Sequence, residues 1–508
     1  MKRKKTCCCC SSSSSSDHNS TSSHLPDDCL ELIFRLIIND DHIDNKRRYL
    51  NPLSLVSKQF LSVTDRLRFS LTVYEPSYFH RRIFKRYTNL NSIKLARSCT
   101  HKDELLRNIS RFPLKQLRSL SLYQQPSIPI NGLRAFSQKI TTLTSLNCSH
   151  IGTLDISNLF LIAECFPLLE ELDLSYPKGG CSKNYSSYVD GVQALSLALV
   201  KLRKVNLSQF PINNDSLFHL FNNCKYLQEV IIFKCAQVTS AGLASAIRQR
   251  PTLRSLSFSK MWKTSEVFAT SQFIDSLMGL KGLTCLFLQS LRISDELLYS
   301  IAREGFRLTE LGLSFCTDYS YAGICCLLSK CPRIQHLNLQ CFEFLNGQRV
   351  SHLSSFLRDL VSINLSCCVD IKESALFALV SNCPSLSEIK MERIMSESYI
   401  IWNSDSLGKF SVYPQLKGLY LGANYWLSDE ILIMLASIFP NLQLLDLNFC
   451  TGISEGICEV LRRCCNIRHL NLENCSRVKL LGMNFVVPKL EGFHKGGSET
   501  FTKKLQTT

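Results

Sequence analysis

One short apolar motif returns along most of this chain at nearly constant intervals. The motif is L-x-x-L-x-L, with other apolar residues allowed in place of leucine, and it begins fifteen times between Leu90 and Ile467. Eleven of the fourteen intervals are 25 to 27 residues long, and the other three are 30 or 33. Self-similarity at such a period is typical of repeat architectures. We therefore expect the 508 residues to form one long array and not several independent globular domains.

The spacing within each repeat predicts a strand followed by a helix. The last two apolar positions of the motif lie two residues apart, so both side chains project from the same side of a strand. The stretches that follow, such as residues 294–302 and 428–435, begin with Ser, Asp or Glu and then carry apolar residues three or four apart. This pattern indicates a helix with one buried stripe. Because stacked copies share the core that one copy cannot form, we predict an α/β solenoid, a horseshoe of about 15 repeats of ~26 residues.

Proline and cysteine recur at fixed phases of the repeat. Prolines that end a helix lie two residues before a motif at Pro167, Pro251, Pro332, Pro384, Pro414 and Pro440. Pro488 has the same relation to residues 490–493, so residues 488–495 are interpreted as a degenerate last unit. Nine of the 25 cysteines follow a motif by three residues or precede one by three: Cys235, Cys316, Cys368, Cys450, Cys475, Cys224, Cys331, Cys383 and Cys464. A small, mildly apolar side chain suits a tight turn, so we interpret these cysteines as structural thiols, not metal ligands or catalytic groups.

Residues 25–68, ahead of the array, predict two amphipathic helices. The first lies in LPDDCLELIFRLI, where Leu30, Ile33, Phe34 and Ile37 recur at helical spacing after an acidic first turn. The second lies in PLSLVSKQFLSVTDRLR, whose apolar positions are Leu55, Val56, Phe60, Val63 and Leu67. On the residues alone, this segment is either a docking module or a helical cap that covers the first repeat.

The two parts together resemble a known family. The repeat segment PNLQLLDLNFCTGISEGICEVLRRCCNIRHLNLENC is similar to the cysteine-containing leucine-rich repeats of plant F-box proteins, and residues 25–68 resemble the F-box pattern L-P-x-x-x-L-x-x-I-F followed by L-V-C-K-x-W. The chain departs from that pattern at Ser57, at Phe60 and in a longer polar loop between the halves. Residues 1–23 are of low complexity and are expected to be a disordered tail. We place an F-box at 24–69, a helical linker at 70–89, the leucine-rich-repeat solenoid at 90–495 and a C-terminal tail at 496–508.

The resemblance also implies a function. An F-box docks on a small Skp-family adaptor, which joins it to a cullin and a RING protein in an SCF ubiquitin ligase, while the repeats hold an unknown protein substrate. By this analogy the adaptor would contact Leu25, Pro26, Leu30, Ile33, Phe34, Leu55, Val56 and Phe60. The chain itself would not be an enzyme and would need no cofactor. Two alternatives are a repeat scaffold without adaptor binding and a co-receptor for a small molecule.

Candidate substrate-binding residues come from the longer repeats and from solvent-facing strand positions. The extra residues follow the strands at 177–188, 260–272 and 394–406, and insertions in solenoids often map to the binding face. Tryptophan is enriched at binding hot spots, which makes Trp262, Trp402 and Trp426 candidates; the alternative is that they fasten loops to the body. Phe287, Lys390 and Tyr420 are expected to face solvent on strands.

The net charge of +16 is concentrated at the start of the chain. Residues 1–116 hold 21 Lys or Arg against 11 Asp or Glu, while residues 117–487 hold 33 against 29. A nucleic-acid reader would carry a basic stripe along its main domain, so no nucleic-acid partner is expected. The sequence has no long apolar run and no secretory signal pattern, so we expect neither membrane insertion nor export. The expected location is the cytoplasm, the nucleus or both. Lys2–Lys5 fits a nuclear import signal or a solvated basic start, and the role of Cys7–Cys10 stays open.

Overall fold

A computed structural model describes residues 25–38, 50–74, 79–97, 101–178, 186–261, 266–371, 374–394, 411–478 and 492–494. The chain divides into two compact units, one of residues 1–71 and 77–91 and the other of residues 72–76 and 92–508. The tails predicted at 1–23 and 496–508 lie outside the described residues. In the described part of the chain, no helix combines the length and the apolar character that crossing a lipid bilayer requires.

The described part of the first unit includes the helices α1 (Asp27–Ile37), α2 (Lys58–Arg66) and α3 (Phe79–Arg86). Pro26 precedes α1, and the Ser57 hydroxyl caps α2 by accepting a hydrogen bond from the Phe60 amide at 3.1 Å. The core of the unit consists of Leu30, Phe34, Ile38, Leu50, Val63 and Leu67. The Arg86 guanidinium donates to both carboxylate oxygens of Asp65 at 2.9 Å, which fixes α3 against the end of α2.

Residues 70–89, which we predicted to be a helical linker, contain a strand before their helix. Strand β1 (Ser70–Val73) precedes α3. Its last carbonyl, that of Val73, accepts a hydrogen bond from the Ala96 amide at 2.8 Å. The reason lies in composition, because Thr72 and Val73 are β-branched and favour extended backbone.

The second unit is a solenoid in which each of the fifteen motifs supplies one strand, as predicted. The strands are β2 (Ser92–Leu95), β3 (Ser119–Ser121), β4 (Ser145–Asn147), β5 (Glu171–Asp173), β6 (Lys204–Asn206), β7 (Glu229–Ile232), β8 (Ser255–Ser259), β9 (Cys285–Gln289), β10 (Glu310–Gly312), β11 (His336–Asn338), β12 (Ser362–Asn364), β13 (Glu388–Lys390), β14 (Gly418–Tyr420), β15 (Leu444–Asp446) and β16 (His469–Asn471). Strand β17 (Gly492–His494) lies in the predicted last unit and pairs with β16. Neighbouring strands from β2 to β17 pair in parallel and in sequence order.

A helix follows most of these strands and packs on the helix of the next repeat. The helices that the structure describes are α4 (Lys102–Ile109), α5 (Ile130–Ser137), α6 (Ile156–Cys165), α7 (Ser186–Ala198), α8 (Asn214–Asn223), α9 (Ser240–Arg248), α10 (Ser271–Met278), α11 (Asp295–Glu304), α12 (Tyr321–Lys330), α13 (Gly347–Ser354), α14 (Ser374–Asn382), α15 (Asp429–Ile438) and α16 (Gly456–Arg463). The motif leucines form ladders between repeats: Leu286, Leu311 and Leu337 are in register on adjacent strands, and all three are buried. Each buried leucine contributes about 1.5–3 kcal/mol relative to exposure.

The turn after most strands of the array holds a non-glycine residue in the left-handed region. The Asn147 carboxamide oxygen accepts from the Ser149 amide at 2.9 Å and its hydroxyl at 2.7 Å, and His150 follows with φ 56°. The His150 amide then donates to the Ser175 carbonyl of the next repeat at 2.8 Å. The hydrogen-bond ladder between repeats therefore continues past the strand and stabilises a backbone conformation that side chains ordinarily disfavour.

The cysteines that follow the motifs are hydrogen-bond donors between repeats. The Cys450 thiol donates to the carbonyl of Leu421, the last motif residue of the preceding repeat, at 3.3 Å. At the same phase the Asn424 carboxamide donates to the Met391 carbonyl at 2.7 Å. An amide and a thiol therefore donate equivalent hydrogen bonds in neighbouring repeats. The cysteines that precede the motifs behave alike, since the Cys331 thiol donates to the Phe306 carbonyl at 3.7 Å. The structure thus supports the interpretation of these cysteines as structural thiols.

We expect the Cys450→Ala variant to lose less stability at alkaline pH than the wild type loses. Burial raises the pKa of the Cys450 thiol from 9.0 to about 12, so the thiol ionises first in the unfolded chain. Its contribution is fully present below about pH 9 and is lost as the pH rises toward about 12. Over that window the wild type should lose about 1.4 kcal/mol more than the variant for each pH unit. Urea unfolding followed by circular dichroism at a series of alkaline pH values measures both slopes.

Cys465→Ala is the matched control because the Cys465 side chain is exposed. This control should keep the wild-type slope. Equal slopes for the wild type and Cys450→Ala would contradict the assignment of Cys450 as a buried, neutral donor.

Candidate protein-binding sites

The first helix exposes an apolar face to solvent. Leu32, Ile33, Leu36 and Ile37 are exposed on α1, and Leu36 keeps 68% of its accessible surface. They follow a spacing of one and four residues, which places them on one side of a helix. Leu30 and Phe34, on the other side, are buried in the core of the first unit. The helix is therefore apolar on two faces, and only one of them is buried within its own unit.

Further exposed apolar side chains lie just before α1 and just before α2. Leu25 and Val56 are exposed, and Leu55 keeps 86% of its accessible surface. The Gln59 carboxamide donates to the Leu25 carbonyl at 2.8 Å and to the Asp27 carboxylate at 2.9 Å, which ties the start of α1 to α2. We call Leu25, Leu32, Ile33, Leu36, Ile37, Leu55 and Val56 the docking patch.

Ion pairs fix the helix that carries most of the docking patch. The Arg66 guanidinium lies 3.0 Å from the Asp27 carboxylate and 3.6 Å from that of Glu31. Arg35 adds a pair with Glu31 at 2.7 Å within α1. The hydrogen bond from Gln59, followed by that from Arg66, holds the pKa of the Asp27 carboxyl below its usual range. These contacts leave the outer apolar face of α1 uncovered by charged side chains.

Three of the residues that we expected to contact an adaptor lie inside the unit instead. Leu30 is 4% exposed and Phe34 is 1% exposed, and Phe60 is half-buried against the same core. The Phe34 and Phe60 rings pack edge to face with centroids 5.0 Å apart. These three side chains hold α1 against α2 and position the docking patch. By contrast, Leu25, Pro26, Ile33, Leu55 and Val56 are exposed as expected.

The expected substrate residues Lys390 and Tyr420 lie side by side on the array. They are register partners on β13 and β14, and the Lys390 ammonium nitrogen lies 4.4 Å from the centroid of the Tyr420 ring. Lys390 also pairs with Glu388 at 3.2 Å. Phe287 lies on β9, four strands earlier, where its ring covers Gly312; a Cβ at Gly312 would come within 2.1 Å of that ring. The structure therefore brings together two of the three strand candidates and separates the third.

A small cavity opens beside this pair, in the turns that follow the strands. Its volume is about 220 Å³, and its lining includes Glu392, Arg393, Gly422, Asn448 and Phe449. Burial and then the charge of Asp446 raise the pKa of the Glu392 carboxyl. Burial, followed by the charges of Glu388, Asp446 and Glu392, raises the pKa of the Tyr420 hydroxyl to about 12. The surroundings therefore combine acidic side chains with the cations Lys390 and Arg393, and they are only partly hydrated.

Of the three candidate tryptophans, the structure describes Trp426 but not Trp262 or Trp402. Trp262 and Trp402 lie outside the described residues, so their expected binding role stays a prediction. Trp426 is half-buried in the turn after β14. Its indole N–H is buried and has no hydrogen-bond partner within the residues that the structure describes. For Trp426, the partial burial favours a loop-anchoring role over an exposed contact.

The sequence analysis did not identify several residues that the structure places at the two candidate sites. Leu32, Leu36 and Ile37 were not among the expected contacts, although their spacing on α1 is visible in the sequence. Glu392 and Asp446 were missed as neighbours of Tyr420, because only the strand register shows which repeats meet. The alternation of apolar and polar positions identifies the solvent side of each strand but no partner across it.

The fold and the repeats define a leucine-rich-repeat protein. No family model matches the chain. The chain is similar to GRR1-like protein 1 of Arabidopsis thaliana, with 26% identity over 203 residues that cover 35% of each protein. It is also similar to the F-box protein SKIP1 of Arabidopsis thaliana, with 24% identity over 170 residues that cover 33% of this chain and 51% of that protein. The chain resembles plant F-box and leucine-rich-repeat proteins, as expected, and its matches span only about a third to a half of the length of these relatives.

The comparison with solved structures finds matches of low sequence identity. The complex of Rad7 and Elc1 in yeast is matched with a TM-score of 0.44 and 15% identity, over 91% of this chain and 92% of the other. An internalin from Listeria monocytogenes is matched with a TM-score of 0.38 and 15% identity, over 70% of this chain and 96% of the other.

Phe34→Ala and Leu36→Ala should differ strongly in their effect on the stability of the first unit. Truncating the buried Phe34 leaves a cavity and should cost about 3–5 kcal/mol. Truncating the exposed Leu36 should change stability by less than about 0.5 kcal/mol. Hydrogen exchange of peptides from α1 and α2 in the full-length chain measures both effects. Similar protection in the two variants would contradict the division between core and docking patch.

Proposed function

We propose that this chain is the substrate-recognition subunit of an SCF-type ubiquitin ligase and is not itself an enzyme. The observation that carries the proposal is the docking patch, an uncovered apolar surface on a helical unit that is distinct from the repeat array. Such a surface fits a partner groove that accepts the apolar face of a helix. The resemblance to plant F-box proteins supports a Skp-family adaptor as that partner.

The proposed work of the chain is positioning. The adaptor would connect the helical unit to cullin and RING subunits, and the array would hold a protein substrate near a loaded ubiquitin carrier. Holding two reactants together replaces a bimolecular encounter by an effectively intramolecular one, so no catalytic group is required of this chain. Burial of the docking patch supplies the driving force, since each aliphatic side chain that leaves water contributes about 1.5–3 kcal/mol.

Leu36→Asp and Leu55→Asp should each weaken adaptor binding by about a hundredfold or more, because a carboxylate in an apolar interface is left without a partner. Both side chains are exposed in the free chain, so the variants should fold normally. Calorimetry with the purified full-length chain and a purified Skp-family adaptor measures the affinity. Leu197→Asp, on an exposed position of α7, is the matched control and should bind like the wild type.

Wild-type protein that fails to bind any Skp-family adaptor would refute the ligase proposal and favour a repeat scaffold. Binding that survives Leu36→Asp and Leu55→Asp would refute the docking patch as the contact surface, because both substitutions place a charge at its most exposed positions.

We further propose that the cavity beside Tyr420 receives a basic side chain of the substrate at Glu392. The Glu392 carboxyl is partly buried near the negative charge of Asp446, with Lys390 and Arg393 as neighbouring cations. An incoming guanidinium or ammonium group would further lower the repulsion between the two carboxylates. The Tyr420 ring offers a face on which a cation can lie, as Lys390 already does. The volume of about 220 Å³ suits one side chain better than a hormone-sized ligand, which favours a protein substrate over the co-receptor alternative.

Glu392→Gln and Tyr420→Ala should each reduce substrate capture about tenfold or more, because removing one member of a desolvated charged contact leaves the other unpaired. The capture is performed from cells under proteasome inhibition, with Leu36→Asp present in every sample so that bound substrates are not consumed. Quantitative mass spectrometry compares the captured proteins. Glu171→Gln, the same substitution on β5, is the control and should capture the same proteins as its parent. Unchanged capture by Glu392→Gln would contradict the assignment.

A further inference from the structure

A cysteine, a histidine and a tyrosine meet on the helical side of the array, away from the sites above. Tyr321 and Cys325 lie one turn apart on α12, and His352 faces them from α13 of the next repeat. The Tyr321 hydroxyl lies 2.7 Å from Nδ1 of His352, and the Cys325 sulfur lies 4.0 Å from the same nitrogen. The Tyr321 hydroxyl is also within hydrogen-bonding reach of Cys325. The three groups therefore form a closed cluster through which one proton can be shared.

A positive charge is fixed above this cluster. The Arg349 guanidinium carbon lies 4.7 Å from the centroid of the Tyr321 ring. Its position is held by a hydrogen bond of 2.5 Å to the Phe344 carbonyl. Burial, followed by the neighbouring Cys325, raises the pKa of the Tyr321 phenol, so this group keeps its proton at neutral pH and links the thiol to the imidazole. The Cys325 thiol thus has a proton acceptor within reach in His352, and a cation is held on the neighbouring Tyr321 ring.

The surroundings of Cys325 differ from those of the structural thiols. Cys331, six residues later, is buried, donates to a backbone carbonyl, and has its pKa raised to about 11 by burial. Cys325 is only half-buried, and its neighbours are the ionisable side chains of Tyr321 and His352. Thiols buried among apolar groups are inert, whereas accessible thiols beside a base and a cation are reactive.

We propose that Cys325 is a peroxide-sensitive modification site, with His352 as the base that receives the thiol proton. The Cys325 thiolate attacks one oxygen of hydrogen peroxide, so an S–O bond forms and the O–O bond breaks. Sulfur loses two electrons and becomes a sulfenic acid, while the leaving hydroxide takes the proton from the His352 imidazolium and becomes water. The overall change is one thiol and one peroxide to one sulfenic acid and one water. The modification places a polar oxygen between the helices of two adjacent repeats.

The test uses the full-length reduced chain, hydrogen peroxide at neutral pH and a dimedone probe that traps sulfenic acids. Cys326 is the built-in control, because it is also half-buried and is the next residue on the same helix. Fragment spectra of the peptide that contains both cysteines give the two labelling rates separately. We expect Cys325 to be labelled about tenfold faster than Cys326, because His352 lies within reach to accept the proton that the Cys325 thiol releases. Cys326→Ser should leave the rate at Cys325 unchanged.

Two further variants distinguish an activated thiol from a merely accessible one. His352→Gln removes the base at an exposed position, and Tyr321→Phe keeps the ring but removes the linking hydroxyl. Each should slow labelling of Cys325 toward the rate of Cys326, about tenfold for His352→Gln. His219→Gln, on α8, should have no effect. Equal rates for Cys325 and Cys326 in the wild type would overturn the proposal, as would an unchanged Cys325 rate in His352→Gln.

Discussion

The array depends on the fact that one repeat cannot bury its own leucines. A strand of three to five residues and a helix of eight to thirteen leave an apolar face that only the next copy covers. Leu286, Leu311 and Leu337 illustrate the result, since each is in register with the next and all are buried. The constraint fixes the period of the sequence, because an insertion inside a strand or its flanking leucines would break the ladder. In the three long intervals of the sequence, the extra residues follow the strands.

The same stacking determines which polar side chains remain for recognition. Every repeat must satisfy backbone groups in its turns, and the chain does so with side chains at fixed phases, such as Asn147, Asn424 and Cys450. Such residues have chemistry that suggests function, yet their hydrogen-bonding groups are used within the turns and between repeats. What remains is the solvent side of the strands and turns, where Lys390, Tyr420 and Glu392 lie.

The sequence predicted the array well because its signal is periodic and repeated fifteen times. All fifteen motifs became strands, and the recurrent cysteines proved structural. The prediction was weaker where a pattern has two solutions. Helical spacing shows that Leu30, Ile33, Phe34 and Ile37 share a region of α1, but a helix that is apolar on two sides does not reveal which side its own unit buries. The strand at 70–73 was missed because four residues give too short a pattern, and the left-handed turns were missed because none carries glycine.

The two units expose different kinds of surface, and this difference bears on the proposed division of labour. The docking patch is aliphatic, so its contribution to the binding free energy depends on the buried area. Such burial is non-directional and discriminates little between partners of similar shape. The surface around Tyr420 is charged and partly dehydrated, so a partner that lacks the matching group leaves a costly unpaired charge. Aliphatic burial suits binding to one constant partner. The free-energy cost of an unpaired charge suits discrimination among many candidate partners. An adaptor that is constant and a substrate that must be selected would require these two properties, each on its own unit.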